Sequence, residues 1–207
     1  MSKPLLKPAA APGWFGKIPN LGDFASRRLP EGFIRRWDRW LQSGLAQSRG
    51  DLGDAWLDAY LVAPILRFWL SPGTLGHGAW AGLLMPSVDR VGRHFPLTLA
   101  HPCESLAAAL AAREWFAALD RAARQVLDRA FTPDDLEAQL QSLPALDGSA
   151  DDAASQRLAA DTLRERCAAK KSCSLWWCGD AHEEGEFLAH AGLPPAAEFA
   201  SMLGATA

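Results

Sequence analysis

The chain has 207 residues, of which 49% are apolar and 22% charged, with a formal net charge of −3 and a pI near 5.9. These values exclude a wholly disordered chain, a collagen-like chain and a polybasic tail. They also disfavour nucleic acid or an anionic membrane as the main partner, and the length suffices for a buried core in one or two domains.

Charge is unevenly placed. Residues 1–50 hold nine basic and three acidic side chains, whereas residues 51–207 hold twelve and twenty-one. Arg27, Arg28, Arg35, Arg36 and Arg39 supply most of the basic end, either as the solvated face of an early helix or as a surface for an acidic partner. No apolar run approaches the ~18 residues of a membrane span. Residues 1–12 carry Lys3 and Lys7 without an apolar stretch, so they read as a disordered leader rather than a secretory signal. The cysteines at 103, 167, 173 and 178 form no C-x-x-C pair; reduced, inert thiols are expected.

In chain order, residues 14–18 read as a short strand closed by Pro19, and residues 20–23 as a turn rich in Asn, Gly and Asp. Pro30 opens a helix as its first-turn proline, with Phe33, Trp37, Trp40, Leu41 and Leu45 on one face. A shorter helix follows at residues 54–61. From Pro64 the period becomes extended: Leu66, Phe68 and Leu70 alternate with Arg67 and Trp69. Residues 79–85 and 95–100 give two further strands, apolar enough to be covered on both faces. The glycines at 73, 76 and 78 lie between strands and lack the Gly-Lys-Ser/Thr ending of a phosphate loop, so they read as a turn.

Residues 104–130 form the longest helical stretch, rich in alanine. Thr132, Pro133, Asp134 and Asp135 make a helix start. A polar loop near residues 144–152 precedes a helix at 153–169, strands at 174–178 and 187–191 around an acidic turn, and a final short helix at 194–203. Trp176 and Trp177 are adjacent and point to opposite faces, one of them to solvent. Strands interleaved with helices predict one α/β domain, with the last strands joining the main sheet.

Complete catalytic patterns are absent from the sequence. Ser87, Asp89 and His94 are close, but the G-x-S-x-G elbow is missing. Asp180, His182, Glu183, Glu184 and Glu186 lack H-E-x-x-H spacing and read as an acidic hairpin tip. A hydrolase using Ser87, or a metal near His182, is the alternative to a binding protein. The segment at residues 86–96 is the most unusual: it joins two apolar strands and gathers Asp89, Arg90 and Arg93. It is either a brace built from Arg–Asp pairs or a recognition loop.

Residues 14–24, Trp-Phe-Gly-Lys-Ile-Pro-Asn-Leu-Gly-Asp-Phe, resemble the opening G-x-x-G-K-x-P-x-x-G-D-F motif of the TagF/ImpM family of type VI secretion accessory proteins. Arg27-Arg28-Leu29-Pro30 and Trp37-Asp38-x-Trp40-Leu41 are similar to its next block. Residues 86–93, with Phe95-Pro96-Leu97-Thr98, are similar to its central P-S-V-D-x-V-G-R-x-F-P block, with His94 where an aromatic is more usual. Residues 174–177 and 192–194, with Phe199, resemble its later signatures. The resemblance spans residues 13–204. It implies a three-layer α/β/α sandwich around a mixed sheet, formed as a single domain over 13–207. It also implies a non-enzymatic cytoplasmic regulator, usually a repressor, that binds the forkhead-associated-domain scaffold protein of the system. No cofactor, metal, nucleic acid or membrane insertion is implied, and the oligomeric state is left open. The expected partner-binding residues lie on two loops: Lys17, Asp23, Arg27 and Arg28 on the first, and Ser87, Asp89, Arg90 and Arg93 on the second.

Overall fold

The structure, a computed structural model, describes residues 11–146, 152–167, 171–180 and 187–205. Its strands are β1 (Gly13–Gly16), β2 (Ala25–Arg27), β3 (Leu66–Leu70), β4 (Ala79–Met85), β5 (Leu97–Cys103), β6 (Cys173–Trp177) and β7 (Leu188–Ala191). Its α-helices are α1 (Glu31–Leu52), α2 (Trp56–Val62), α3 (Leu106–Ala111), α4 (Arg113–Gln125), α5 (Pro133–Gln141), α6 (Ala153–Arg166) and α7 (Phe199–Met202). Together they form a single α/β domain around one seven-stranded sheet, ordered β2-β1-β5-β4-β3-β6-β7. The last two strands therefore join the main sheet across the loop near residue 144.

Every neighbouring pair of strands is antiparallel, which corrects the expected mixed sheet. The reason lies in the connections. A parallel neighbour needs a crossover that returns to the opposite end of the sheet. Here the excursion through α3–α6 leaves β5 and re-enters as β6 at the same end, so β6 runs against both β5 and its partner β3.

The sheet separates two apolar clusters because successive strand residues face opposite ways. Trp69, Ala81, Leu83, Leu99, Leu175 and Trp177 pack with Leu106 of α3, Trp115, Phe116 and Leu119 of α4, and Leu136 and Leu140 of α5. Phe68, Leu70, Leu84, Ala100 and Trp176 pack with Phe33, Trp37 and Trp40 of α1, Tyr60 of α2, and Phe199 and Met202 of α7. Neither adjacent tryptophan reaches solvent: Trp176 stacks on Trp37 at 5.9 Å and Trp177 meets Phe116 edge-on at 5.5 Å. An aromatic side chain of ~200 Å² contributes roughly 5 kcal/mol of transfer free energy when fully buried. The indole N–H groups of α1 are also satisfied. Trp37 donates to Thr98 Oγ1 at 2.7 Å, and Trp40 to the Pro194 carbonyl at 2.8 Å.

Several boundaries differ from the sequence reading. Pro30 precedes α1 in an extended conformation (φ −61°, ψ 143°) instead of sitting in its first turn. The stretch expected as one helix over 104–130 breaks at Ala112 (ψ 48°) and ends at Gln125. The third strand of the 64–103 region starts at Leu97, not Phe95. Of the expected leader, Ala11 and Pro12 are buried, and residues 1–10 lie outside the described residues. Cys167 and Cys173 are joined by a disulfide, so those thiols are not reduced as expected; Cys103 is a buried thiol outside any disulfide. The start of α5 does match, with Thr132 and Asp135 forming a reciprocal capping box. No helix among the described residues is long and apolar enough to cross a membrane.

Candidate functional site

The two loops singled out in the sequence meet at one end of the sheet, and a single carboxylate organises them. Asp89 sits in the β4–β5 loop with its side chain fully buried. Its Oδ1 accepts hydrogen bonds from the backbone N–H groups of Val91 at 3.0 Å and Arg93 at 2.9 Å. Its Oδ2 accepts from Lys17 Nζ at 2.8 Å and Arg93 Nε at 2.6 Å. Burial by itself raises the Asp89 carboxyl, but the bonds from Lys17, Arg93 and Val91 outweigh it and hold the group below the usual carboxylate range. An ion pair removed from water persists only when its remaining hydrogen-bonding capacity is filled in this way.

Ser87 fastens the base of the loop. Its hydroxyl donates to the Lys17 carbonyl at 2.7 Å. Its backbone N–H donates to the Tyr60 hydroxyl at 3.0 Å, and that hydroxyl donates back to the Ser87 carbonyl at 2.9 Å. The Ser87 proton is thus committed to a backbone acceptor, and the His94 ring packs against Trp56 and Tyr60 instead of Ser87. Burial, then the charge of Arg49, lowers the His94 pKa and favours the neutral ring. The three residues do not form the nucleophile–base–acid geometry of a triad.

The first loop closes against the second. Arg90 donates its backbone N–H to the Leu21 carbonyl at 2.8 Å, and Arg93 Nη2 donates to the Gly22 carbonyl at 2.5 Å. Gly16, at φ 139°, takes a backbone conformation that side chains rarely adopt, and a Cβ there would run into the Pro96 carbonyl oxygen. Phe24 packs edge-on against Phe95 at 4.8 Å, with Lys17 Nζ 4.9 Å from its ring centre.

A second brace lies along the outer strands. Arg28 is a non-glycine residue at positive φ (62°). Its guanidinium donates to the Pro12 carbonyl at 2.7 and 3.0 Å and forms a two-pronged pair with Glu137 of α5. Glu137 also accepts the Trp14 indole N–H at 2.6 Å. Burial raises the Glu137 carboxyl, and the Arg28 and Trp14 bonds bring it below its usual range. Arg27 adds an exposed pair with Asp134 at 3.3 Å.

The eight sequence candidates therefore divide. Lys17, Ser87 and Asp89 are buried, so their side chains brace the loops from within instead of facing a partner. Arg28 is likewise spent on Pro12 and Glu137. Asp23, Arg27, Arg90 and Arg93 are exposed. Phe24, Val91 and Tyr60 were not among the candidates. The first two are exposed apolar side chains at the junction, and the third anchors it. Phe24 lies inside the family-like motif, but its exposure depends on a ring packing that no spacing reveals. His182, Glu183, Glu184 and Glu186 lie outside the described residues. Asp180 pairs with Arg113 at 3.5 Å, and among the described residues no group of three potential ligands could hold a metal ion.

Residues 13–143 match the model of the TagF N-terminal domain, described as type VI secretion system-associated. The crystal structure of PA0076 from Pseudomonas aeruginosa PAO1 shares the fold with a TM-score of 0.77 at 34% sequence identity, over 95% of this chain and 96% of that one. No curated protein matches the chain. The matched segment holds both loops, the Asp89 brace, the Arg28–Glu137 pair and five of the seven strands, and on these grounds the chain belongs to the TagF family of type VI secretion-associated proteins.

Proposed function

We propose that this protein is a non-enzymatic regulator of type VI secretion that acts in the cytoplasm. It binds the forkhead-associated-domain scaffold protein of the system and withholds it from assembly, making it a repressor. The observation that carries this reading is the family match over residues 13–143, which contains the whole two-loop junction. The commitment of the Ser87 hydroxyl to a backbone carbonyl supports a binding role over hydrolysis. Within this reading the helices on the two faces of the sheet make a three-layer α/β/α sandwich, a rigid frame for the loops.

Titration calorimetry of the full chain against the scaffold protein from the same secretion cluster tests the reading. A dissociation constant near 1 µM, equal to roughly −8 kcal/mol, or tighter is expected. Absence of heat and of co-elution at tens of micromolar would remove sequestration as the mechanism.

A further inference from the structure

The junction of the two loops exposes more side chain than the bracing uses. Val91, at the loop tip, is 66% exposed, and Phe24 is 44% exposed although its ring is held against Phe15 and Phe95. Arg90 is exposed, and its guanidinium lies over Gly22, where an added Cβ would be 3.4 Å from Nη2. Among the described residues no carboxylate forms an ion pair with Arg90. Asp89, the buried acid of the junction, is already shared between Lys17 and Arg93. Arg93 keeps 57% of its side chain in solvent while its Nε is bound inward. Asp23 accepts the Phe24 N–H on Oδ1 and keeps its charge, so the three cations of the junction, Lys17, Arg90 and Arg93, outnumber its two carboxylates, Asp23 and Asp89, by one. The junction thus shows apolar surface rimmed by surplus positive charge, on a chain whose net charge is −3.

We propose that Phe24, Arg90, Val91 and Arg93 form a docking surface for an acidic segment of a partner protein. An apolar side chain of the segment rests on Phe24 and Val91, and its carboxylates meet the two guanidinium groups. The proposal rests on the functional reading above and assigns the segment to the scaffold protein. Charge complementarity identifies the occupant: planar guanidinium groups with free N–H donors match carboxylates. Arginine and aromatic side chains are also the types that carry most binding energy at interfaces. Preorganisation adds to this. The backbone N–H groups of residues 89–93 that the structure bonds are held by Asp89, Arg93 and Leu21, so little ordering entropy remains to oppose binding. A nucleic acid or membrane would need a broader basic field than two arginines.

The test is calorimetry of the full chain with the scaffold protein, using Arg90→Glu and Val91→Asp. Leu61→Asp, on the exposed face of α2, serves as the control. Each loop variant should weaken binding at least about tenfold with an unchanged melting temperature, as expected for interface anchors, and the control should bind as wild type. Wild-type affinity should also fall as salt rises. Equal binding by wild type and both loop variants would overturn the surface while leaving the partner in place. Weakening by the control alone would overturn it too, by moving the interface to α2. No binding by wild type would overturn the partner reading and this proposal with it.

Discussion

Tyr60 is the chain's one tyrosine, and its hydroxyl offers a sharp test of how the candidate loop is held. The group is buried, and burial pushes its phenol well above the usual range, so it remains protonated in any ordinary buffer. It accepts from the Ser87 N–H at 3.0 Å and donates to the Ser87 carbonyl at 2.9 Å. The two losses in Tyr60→Phe are unequal. The Ser87 carbonyl keeps a second partner, the Phe95 N–H at 3.0 Å, whereas the Ser87 N–H has no other. One hydrogen bond worth about 1 kcal/mol is lost, and one buried donor is stranded at about 1–3 kcal/mol. The expected destabilisation is therefore about 2–4 kcal/mol, or a Tm lower by ~4–16 °C for a domain of this size. Urea unfolding followed by tryptophan fluorescence gives the magnitude. Amide exchange gives the location, since the Ser87 amide should lose protection before the strands do. A shift under about 0.5 kcal/mol, or unchanged exchange at Ser87, would refute the anchoring role.

Two further perturbations test other parts of the structure. Asp89 has a lower pKa folded than unfolded, so its ionised form stabilises the native state above its ordinary value of 3.8, and that contribution is lost as pH falls. Asp89→Asn should lower the Tm at neutral pH and flatten its decline below about pH 4; parallel Tm–pH curves for variant and wild type would contradict the buried pair. Reducing the Cys167–Cys173 disulfide, which closes a separation of 6 residues, should cost about 2 kcal/mol by the loop-entropy estimate. Urea midpoints with and without reductant measure this, and Cys167→Ser should show no response to reductant.

Much of the frame was legible because periodicity and turn chemistry act locally. The apolar run over residues 79–85 matches β4 to the residue, and Thr132 with Asp135 announced its helix start. Strand direction was not legible, because period 2 reports a pleat but not which end of the sheet a long connection returns to. The break at Ala112 was hidden by alanines on both sides, which favour helix without marking where it stops. At the site, the sequence named two loops that the fold brings together, but not which of their side chains are buried and which exposed. Lys17 and Asp89 are 72 residues apart. That one is buried against the other follows only from tertiary packing, and so does the division between bracing and exposed arginines. The disulfide was missed for a similar reason: spacing excluded a metal knuckle but did not show that the end of α6 lies beside the start of β6.

The position of β6 has a consequence for the order in which the protein can be completed during synthesis. β6 is hydrogen-bonded to β3, and its Trp176 lies 5.9 Å from Trp37 and 5.3 Å from Trp40 of α1. Phe199 then closes on Trp40 from the far end of the chain, 5.5 Å away. A nascent chain that has emerged only through residue 143, the end of the family-matched segment, has every helix-forming signal of α1 and the Phe68 and Thr98 partners of Trp37, but lacks the Trp176 and Phe199 rings and the Pro194 carbonyl that cover Trp40. The part of that core around Trp40 stays open until β6 and α7 leave the ribosome. The boundary of the family segment thus cuts through one apolar cluster, and a truncation there is expected to lose stability and enter the aggregated fraction.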